Sequence, residues 1–200
     1  MLKMPEADAQ TVKKRASIAA ALRRIVPGEG VIETRTEMSV YESDGLTAYR
    51  QLPLVVVLPN STAEVAKVLR YAFENKIKVV PRGAGTSLSG GALPLADGIV
   101  LGLSKFNRVL DIDYDNRCAV VQPGVTNLAI TKAGGKSAEN SGYDLMGIIT
   151  GSEGLLGVIT EVTVRLLQKP ETARVILVGF PTNEDAGKCV ADIISAGIIP

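Results

Sequence analysis

The chain has 200 residues, of which 46% are hydrophobic, 22 are basic, 21 are acidic and none is histidine. Its length and composition are typical of a soluble globular protein with one domain and part of a second, and the charge balance gives no excess for nucleic-acid binding. Without histidine, catalysis by imidazole and a histidyl-linked cofactor are excluded, and two cysteines are too few for a four-thiolate metal or iron–sulfur site.

The first fifty residues combine a helix with a polar arm. Apolar residues at helical spacing predict one helix over Ala9–Val26, with Asp8 as its N-cap. The arm, Glu29–Arg50, is irregular apart from a short strand predicted at Val31–Thr34.

A strand–helix–strand unit follows the arm. Leu54–Leu58 is an apolar run between two prolines and predicts a buried strand. Ser61 and Glu64 form a capping box that opens a helix reaching about Asn75, and Ile77–Val80 is a second apolar run. If the two strands are parallel, a right-handed crossover is expected.

The rest of the chain alternates strands, short helices and turns. Apolar or alternating patterns predict further strands at Ile99–Leu103, Val109–Ile112, Ala119–Val121, Val158–Leu167 and Ala173–Phe180. Helical patterns lie at Asn127–Ala133, Asp144–Ile149 and, capped by Thr182, at Thr182–Ala196. Asp115–Asn116 predicts a turn and Gln168–Pro170 a domain boundary.

Signals for export or membrane insertion are lacking in this sequence. Met1–Gln10 carries charges in place of an apolar signal segment, and no apolar stretch reaches about 18 residues. A cytoplasmic protein without a transmembrane segment is expected. Cys118 and Cys189 are then expected to be reduced, buried and small apolar in character.

A glycine-rich loop, Pro81–Gly91, carries the main chemical signal. Its glycines let backbone N–H groups approach a ligand, its hydroxyls add donors, and successive amides of this kind bind anions. A Walker A loop is excluded because no lysine follows either glycine pair, and a Rossmann loop because Leu88 and Pro94 interrupt the pattern. A ligand-free surface loop is the structural alternative.

Five stretches together resemble a known flavoprotein family. The chain is similar to FAD-linked oxidases with a PCMH-type (vanillyl-alcohol-oxidase-type) FAD-binding domain, and within them to the FAD-binding subunits of bacterial glycolate oxidases. The stretches are Tyr41–Tyr49, Leu52–Pro59, Pro81–Leu95, Val120–Val125 with Asn127–Ile130, and Gly151–Val164. The resemblance implies an α+β fold with two α/β subdomains and FAD between them.

The same resemblance implies a domain plan and a shortened segment. The implied parts are an N-terminal helix and arm (1–50), a PCMH-type FAD-binding domain (51–168) and the truncated start of an α/β substrate domain (169–200). In the family, several tens of residues separate the Asn127–Ala133 helix from Gly142–Leu145, whereas here only residues 134–141 do. Either the protein lacks this segment or the sequence joins parts of a longer chain. Glu139–Gly142 resembles the end of the family's second glycine loop, and equally the native lead-in to Gly142.

The resemblance also implies which residues hold non-covalent FAD. Loop residues would wrap the pyrophosphate: Arg82, Gly83, Ala84, Gly85, Thr86, Ser87, Leu88, Gly90 and Gly91. Others would line the cleft or pass along the ADP side: Pro123, Gly124, Val125, Gly151, Glu153, Gly154, Gly157, Val158 and Ile159. For Glu153, contact with ribose hydroxyls and helix capping are both open, and for each segment a plain structural turn is the alternative.

The implied activity is oxidation of a small 2-hydroxy acid such as glycolate or D-lactate. Hydride would pass from the α-carbon to flavin N5, and electrons to an acceptor other than NAD. Implied partners are iron–sulfur and second flavin subunits, with peripheral contact to the inner membrane through them, or a second copy of the chain. Catalytic residues stay unassigned because the family's follow Pro170, and no metal site is predicted. A non-catalytic fragment, or action on another 2-hydroxy acid, are the alternatives.

Overall fold

The structure, a computed structural model, describes residues 4–125, 149, 151–166 and 175–197. The chain divides into two compact units, residues 1–168 and residues 169–200. The arm and the helices before it belong to the first unit, together with the glycine-rich loop. The predicted helices at 127–133 and 144–149 and the shortened segment 134–141 lie outside the described residues, apart from Ile149.

A four-stranded sheet forms the centre of the first unit. Its strands are β1 (Val31–Ile32), β2 (Val55–Val57), β3 (Lys78–Arg82) and β4 (Gly98–Gly102), in the order β1-β2-β4-β3. The predicted strands β2 and β3 are both parallel to β4, which lies between them, while β1 is antiparallel to β2. The sequence thus indicated the strands but not the insertion of β4 into the strand–helix–strand unit.

The helices of the first unit show one correction. They are α1 (Ala9–Lys13), α2 (Arg15–Ile25), α3 (Arg35–Met38) and α4 (Thr62–Glu74). The single helix predicted over Ala9–Val26 is wrong, because regular helical geometry is lost at Lys14. The physical difference is burial: Val12 is exposed and α1 buries no residue, whereas α2 buries Ile18 and Leu22 against the sheet.

Packing on both faces explains the apolar runs of the central strands. Residues 55–57 and 99–101 have no exposed surface. One face packs with α2 and α4, through residues such as Leu22 and Val68, and the other contacts Met38 at the end of α3. A strand buried on both faces needs continuous hydrophobic residues. One half of the predicted capping box of α4 is confirmed, since the Glu64 N–H donates to Ser61 Oγ at 3.2 Å. The Glu64 carboxylate accepts from the N–H of Asn60 in place of that of Ser61.

A second, antiparallel sheet completes the first unit. Its strands are β5 (Val109–Asp113), β6 (Cys118–Val121) and β7 (Val162–Arg165). The turn between β5 and β6 lies at 114–117, as predicted, and the Asp113 carboxylate holds it by accepting hydrogen bonds from Asn116. The strand predicted over Val158–Leu167 is shorter, since only residues 162–165 pair with β6. The two sheets and their helices confirm the α+β class.

The second unit contains α5 (Asn183–Ser195), which Thr182 caps as predicted. The strand predicted at Ala173–Phe180 is absent from residues 175–180, where the structure gives no strand partner. Cys118 and Cys189 are free thiols, and both are half-buried, which corrects the expectation of full burial. Among the described residues, no helix is both long and apolar enough to cross a membrane.

Candidate functional site

The end of β3 places one arginine beneath the glycine-rich loop. Arg82 is 9% exposed, and its Nη1 donates to the carbonyl oxygens of Ser43 (2.8 Å) and Ala92 (3.3 Å). The guanidinium also lies 5.6 Å from the centre of the Tyr41 ring, within cation–π range. Arg82 therefore joins the arm to both ends of the loop. Its predicted place in a phosphate-binding loop stays a prediction, and the residue lines the cavity described below.

Two glycines allow the arm and the loop to pack closely. A Cβ on Gly85, whose φ is +73°, would overlap the Arg82 guanidinium. A Cβ on Gly45 would lie 2.8 Å from the carbonyl oxygens of Thr86 and Ser87. Such distances are too short for any side chain, so glycine at both positions keeps the loop seated on the arm.

Asp44 supplies a negative charge beneath the loop. Its side chain is 5% exposed, and Oδ1 accepts a hydrogen bond from the Leu46 N–H at 2.9 Å, while Oδ2 is buried without a hydrogen-bond partner. Burial lowers the pKa of Arg82, and the charge of Asp44 acts in the opposite direction by favouring the protonated guanidinium. An arginine with so high an ordinary pKa stays charged. The last residue of β3 thus provides a fixed cation under the loop, and the arm provides the negative charge of Asp44.

Ser87 organises the outer part of the loop. Its Oγ accepts long hydrogen bonds from the N–H groups of Ser89 (3.4 Å) and Gly91 (3.3 Å). The Ser87 hydroxyl lies 3.3 Å from Glu153 Oε2 and donates to it. Bonds of this length are weak, because strong O–H···O bonds are about 2.7 Å long. The Ser87 hydroxyl and the amides of Ser89 and Gly91 are therefore engaged, but loosely.

The segment that carries Glu153 is a tight turn. Gly151, Glu153 and Gly154 all have positive φ, at +79°, +53° and +80°. A Cβ on Gly154 would lie 3.0 Å from Pro81 Cγ, so glycine lets this turn approach the end of β3. The non-glycine residue at +53° is the unusual one, because side chains disfavour the left-handed region.

The loop and this turn enclose a cavity of about 310 Å³. That volume lies at the lower end of the range for ligand pockets, about 300–1,000 Å³. Predicted residues from all three implied segments line it: Arg82, Gly83, Ser87, Gly91, Pro123, Gly151, Glu153, Gly154, Gly157, Val158 and Ile159. A second cavity, of about 470 Å³, shares Gly91, Glu153 and Gly154 with the first as lining residues.

The cavity passes a simple test of fit for a cofactor held by backbone amides. A Cβ on Gly83, Gly151 or Gly157 would meet no protein atom within 4 Å, although all three residues line the cavity. Their backbone thus faces open space that a ligand can enter. The donor set, amides and hydroxyls beside a buried arginine, suits a phosphate.

The other predicted residues do not line this cavity: Ala84, Gly85, Thr86, Leu88, Gly90, Gly124 and Val125. Gly90 lines the second cavity, and the Leu88 side chain is 75% exposed. The Gly124 N–H donates to the Phe106 carbonyl oxygen at 2.7 Å, and a Cβ there would overlap that oxygen. Gly124 therefore packs against the backbone of Phe106, and Val125 packs against the buried side chains of the second sheet.

Sequence reasoning missed the residues that support the loop. Tyr41, Ser43, Asp44 and Gly45 contact Arg82 or the loop backbone, and Pro81, Ala92, Leu103 and Ser152 line the cavity. The arm carried a signal, since Tyr41–Tyr49 belongs to the family-like stretches. The arm and Arg82 are about forty residues apart in sequence, so no local pattern indicates the contact between them.

Comparison with known proteins gives a consistent picture. The FAD-binding domain family matches residues 53–153. Glycolate oxidase subunit GlcD of Escherichia coli is 41% identical over 93% of this chain, and GlcD of Bacillus subtilis is 32% identical over 80%. A D-lactate dehydrogenase of Archaeoglobus fulgidus is 32% identical over 70%.

These relatives are longer than the chain in two ways. The matches cover 49%, 47% and 44% of their lengths, so the chain spans about half of the curated relatives it matches. The Escherichia coli alignment runs over 244 residues, but 93% of 200 is about 186, so about 58 residues of the relative (244 less 186) have no counterpart here.

Among solved structures, alkyldihydroxyacetonephosphate synthase has a similar fold. Its TM-score is 0.74 at 17% sequence identity, and the match covers 100% of this chain and 48% of the synthase. At this identity the similarity concerns the fold alone. It extends over both sheets of the first unit.

Proposed function

The chain belongs to the family of FAD-binding domains, whose cofactor is FAD, and on this premise we propose that it forms the ADP-binding part of an FAD-dependent oxidoreductase of 2-hydroxy acids. The glycolate oxidase and D-lactate dehydrogenase relatives support the glycolate or D-lactate type. The activity of the whole relatives is carried into the proposal, because the chain covers about half of them.

The cavity between the glycine-rich loop and the turn at 151–159 is the observation that carries the proposal. Its glycines 83, 151 and 157 present backbone to open space, and its volume of about 310 Å³ suits the pyrophosphate and the groups next to it. Loop amides and the Ser87 hydroxyl would hold the phosphates, and Arg82 would keep the loop in shape from below. We propose the eighteen residues predicted from the sequence as the FAD site, with these lining residues in direct contact.

The chemistry divides between cofactor and chain. When bound, the flavin accepts hydride at N5 from the α-carbon of the 2-hydroxy acid and passes the electrons on to an acceptor other than NAD. The described residues of this chain contribute binding and orientation: the loop fixes the phosphates, while Val158 and Ile159 supply an apolar wall. The groups that recognise the substrate carboxylate are assigned to the domain that follows residue 170 in the family.

A second function is favoured by the alignment lengths. About 58 residues of the Escherichia coli relative have no counterpart here, and we place this shortening at 134–141. A chain without that segment would bind the ADP part of FAD while holding the flavin ring loosely. It would then be a non-catalytic fragment that folds and binds the cofactor weakly.

Partners and location follow the relatives. GlcD is a subunit of glycolate oxidase, so we propose that this chain works beside further redox subunits, an iron–sulfur and a second flavin subunit. We propose a cytoplasmic site of action, with contact to the inner membrane through those subunits. A homo-oligomer is the alternative assembly.

Two measurements test these proposals. The purified chain is first mixed with FAD, and the visible spectrum is recorded after removal of free cofactor. Glycolate, D-lactate and a longer 2-hydroxy acid are then supplied with a dye acceptor. Retained flavin with turnover supports the oxidoreductase and identifies its substrate. Retained flavin without turnover supports the fragment, and no retained flavin with unquenched FAD fluorescence contradicts cofactor binding.

A further inference from the structure

We propose that the Glu153 carboxylate occupies, in the cofactor-free chain, the place in the glycine-rich loop that a phosphate oxygen takes, and that it sets cofactor affinity by competition. The inference rests on the proposed FAD site and goes beyond it, because it gives Glu153 a role opposed to binding. Ribose contact and helix capping, the two roles open at the sequence level, would both make Glu153 favourable.

The hydrogen bonds of the loop end at this carboxylate. Ser89 N–H and Gly91 N–H donate to Ser87 Oγ, and the Ser87 hydroxyl donates to Glu153 Oε2. The Glu153 carboxylate thus accepts from the Ser87 hydroxyl directly, and the oxygen of that hydroxyl accepts in turn from the Ser89 and Gly91 amides. A phosphate can bind them only if this network opens.

The position of the carboxylate is as specific as its bonds. A Cβ on Gly91 would overlap Glu153 Oε2, so the carboxylate lies directly against the backbone of a loop glycine. Glu153 and Gly91 also line both the 310 Å³ cavity and the 470 Å³ cavity. The side chain therefore lies between two spaces that a dinucleotide could use together once it moved away.

The backbone under Glu153 is suited to such a movement. Its φ of +53° lies in the left-handed region between two glycines of positive φ. A side chain there is held at a conformational cost, and strain of this kind is common at switching positions. The long hydrogen bond from the Ser87 hydroxyl, at 3.3 Å, stabilises this conformation of Glu153 only weakly.

The charge of Glu153 determines whether its removal strengthens or weakens the binding of a phosphate ligand. A pyrophosphate brought to the same donors meets a like charge, which disfavours its binding. Replacing Glu153 by Gln keeps the size and the oxygen that Ser87 contacts, but removes the charge. Binding of a phosphate ligand should then become stronger, whereas loss of a favourable contact would make it weaker.

The test compares Glu153→Gln and Glu153→Gly with wild type. The glycine variant removes the side chain and tolerates positive φ, so it stays informative if the glutamine variant is poorly folded. Glu161→Gln is the matched control: it changes the net charge equally, and its carboxylate contacts Thr62 and lines neither cavity. FAD, ADP, inorganic pyrophosphate and riboflavin are titrated, with Gly91 amide shifts as a second readout.

Both Glu153 variants should bind FAD, ADP and pyrophosphate about fivefold more tightly than wild type, a change equivalent to about 1 kcal/mol. The gain should shrink at high salt, and riboflavin, which has no phosphate, should be unaffected. Equal or weaker binding by both variants overturns the role of Glu153. If FAD binds neither to wild type nor to any variant, the proposed function fails. The role of Glu153 is then decided by the binding of pyrophosphate, followed by the chemical shift of the Gly91 amide. Tighter binding by the variants supports competition by Glu153, and equal binding overturns it.

Discussion

The two sides of the cavity are held in place by different means. The loop side rests on buried Arg82, which is bonded to the carbonyl oxygens of Ser43 and Ala92. The turn side, 151–159, is largely exposed, and the side-chain hydrogen bond that the described residues show across the cavity is the Ser87–Glu153 contact. One side is therefore preorganised, and the other can adapt.

The difference shows how one side of a cavity can be fixed by the fold while the other side can move. Buried hydrogen bonds to a charged donor are costly to break, since the carbonyl groups left behind lose their partners. Exposed contacts exchange with water at little cost. On the proposed function, a cofactor would meet a loop whose base is held by Arg82, and it would have to open the Ser87–Glu153 contact and move the turn.

The largest effect is expected from Arg82→Met, which removes the support of the loop side. The carbonyl oxygens of Ser43 and Ala92 and the carboxylate of Asp44 would lose their buried cation, at a cost of about 3 kcal/mol. Urea unfolding measures the change in the free energy of unfolding, and FAD affinity should fall with it. Arg70→Met, an exposed arginine on α4, is the control and should change neither. If Arg82→Met is as stable as this control, the claim that Arg82 holds the loop side in place is wrong.

Gly154→Ala tests the approach of the turn to β3. An alanine at φ +80° is strained by about 1–2 kcal/mol, and its Cβ would press on Pro81 Cγ. We expect a lower midpoint of urea unfolding and weaker FAD binding together. Unchanged stability would mean that the turn is free to shift away, and that its position is not fixed by Pro81.

Gly83→Ala separates cofactor binding from folding. Gly83 lines the cavity, and an added Cβ meets no protein atom within 4 Å, so stability should change by less than about 0.5 kcal/mol. The methyl group would still project toward the bound cofactor. FAD binding measured by fluorescence should weaken about tenfold, equivalent to about 1.4 kcal/mol. Wild-type affinity in this variant would place the cofactor elsewhere.

The smallest effect concerns Asp97, which belongs to neither side of the cavity. Burial acts to raise the pKa of this carboxyl, but hydrogen bonds from Lys78 Nζ (2.7 Å) and Asp8 N–H (2.8 Å) prevail and lower it below its ordinary value. Its contribution to stability is present above the pKa of the unfolded chain and is lost as pH falls through the lower pKa of the folded chain. Asp97→Asn should lower the free energy of unfolding by about 1 kcal/mol at neutral pH. It should also reduce the loss of stability that wild type shows as the pH falls into the acid range.

FAD affinity should be unchanged in Asp97→Asn at neutral pH, which makes this variant a control for the others. Urea unfolding of both chains at several pH values measures the effect on stability. Parallel pH profiles for wild type and variant would contradict the role of Asp97. A change in FAD affinity would mean that the ends of β3 and β4 opposite Arg82 influence the cavity.

Local patterns predicted the elements whose causes are local. The apolar runs gave β2 and β4 because both strands are buried on two faces, and Ser61 with Glu64 gave the start of α4. The glycine-rich loop was recognised because its composition is unusual. Each of these features is encoded within about ten neighbouring residues.

Features that depend on distant partners were not predictable in the same way. α1 ends at Lys13 and buries no residue, and residues 175–180 form no strand where the structure gives them no partner. Arg82 carries the charge predicted for the loop, but its partners, Tyr41 and Ser43, are about forty residues away. The sequence indicated the segments that line the cavity. Which of their residues line it, and which contact the arm, depends on the fold.

The most direct test of the central claim is an equilibrium titration of wild-type chain with FAD, followed by flavin fluorescence and then by displacement with ADP. A cavity that binds the ADP part through the glycine-rich loop predicts saturable quenching at one FAD per chain, which ADP reverses. Quenching that does not saturate, or that ADP leaves unchanged, would contradict it.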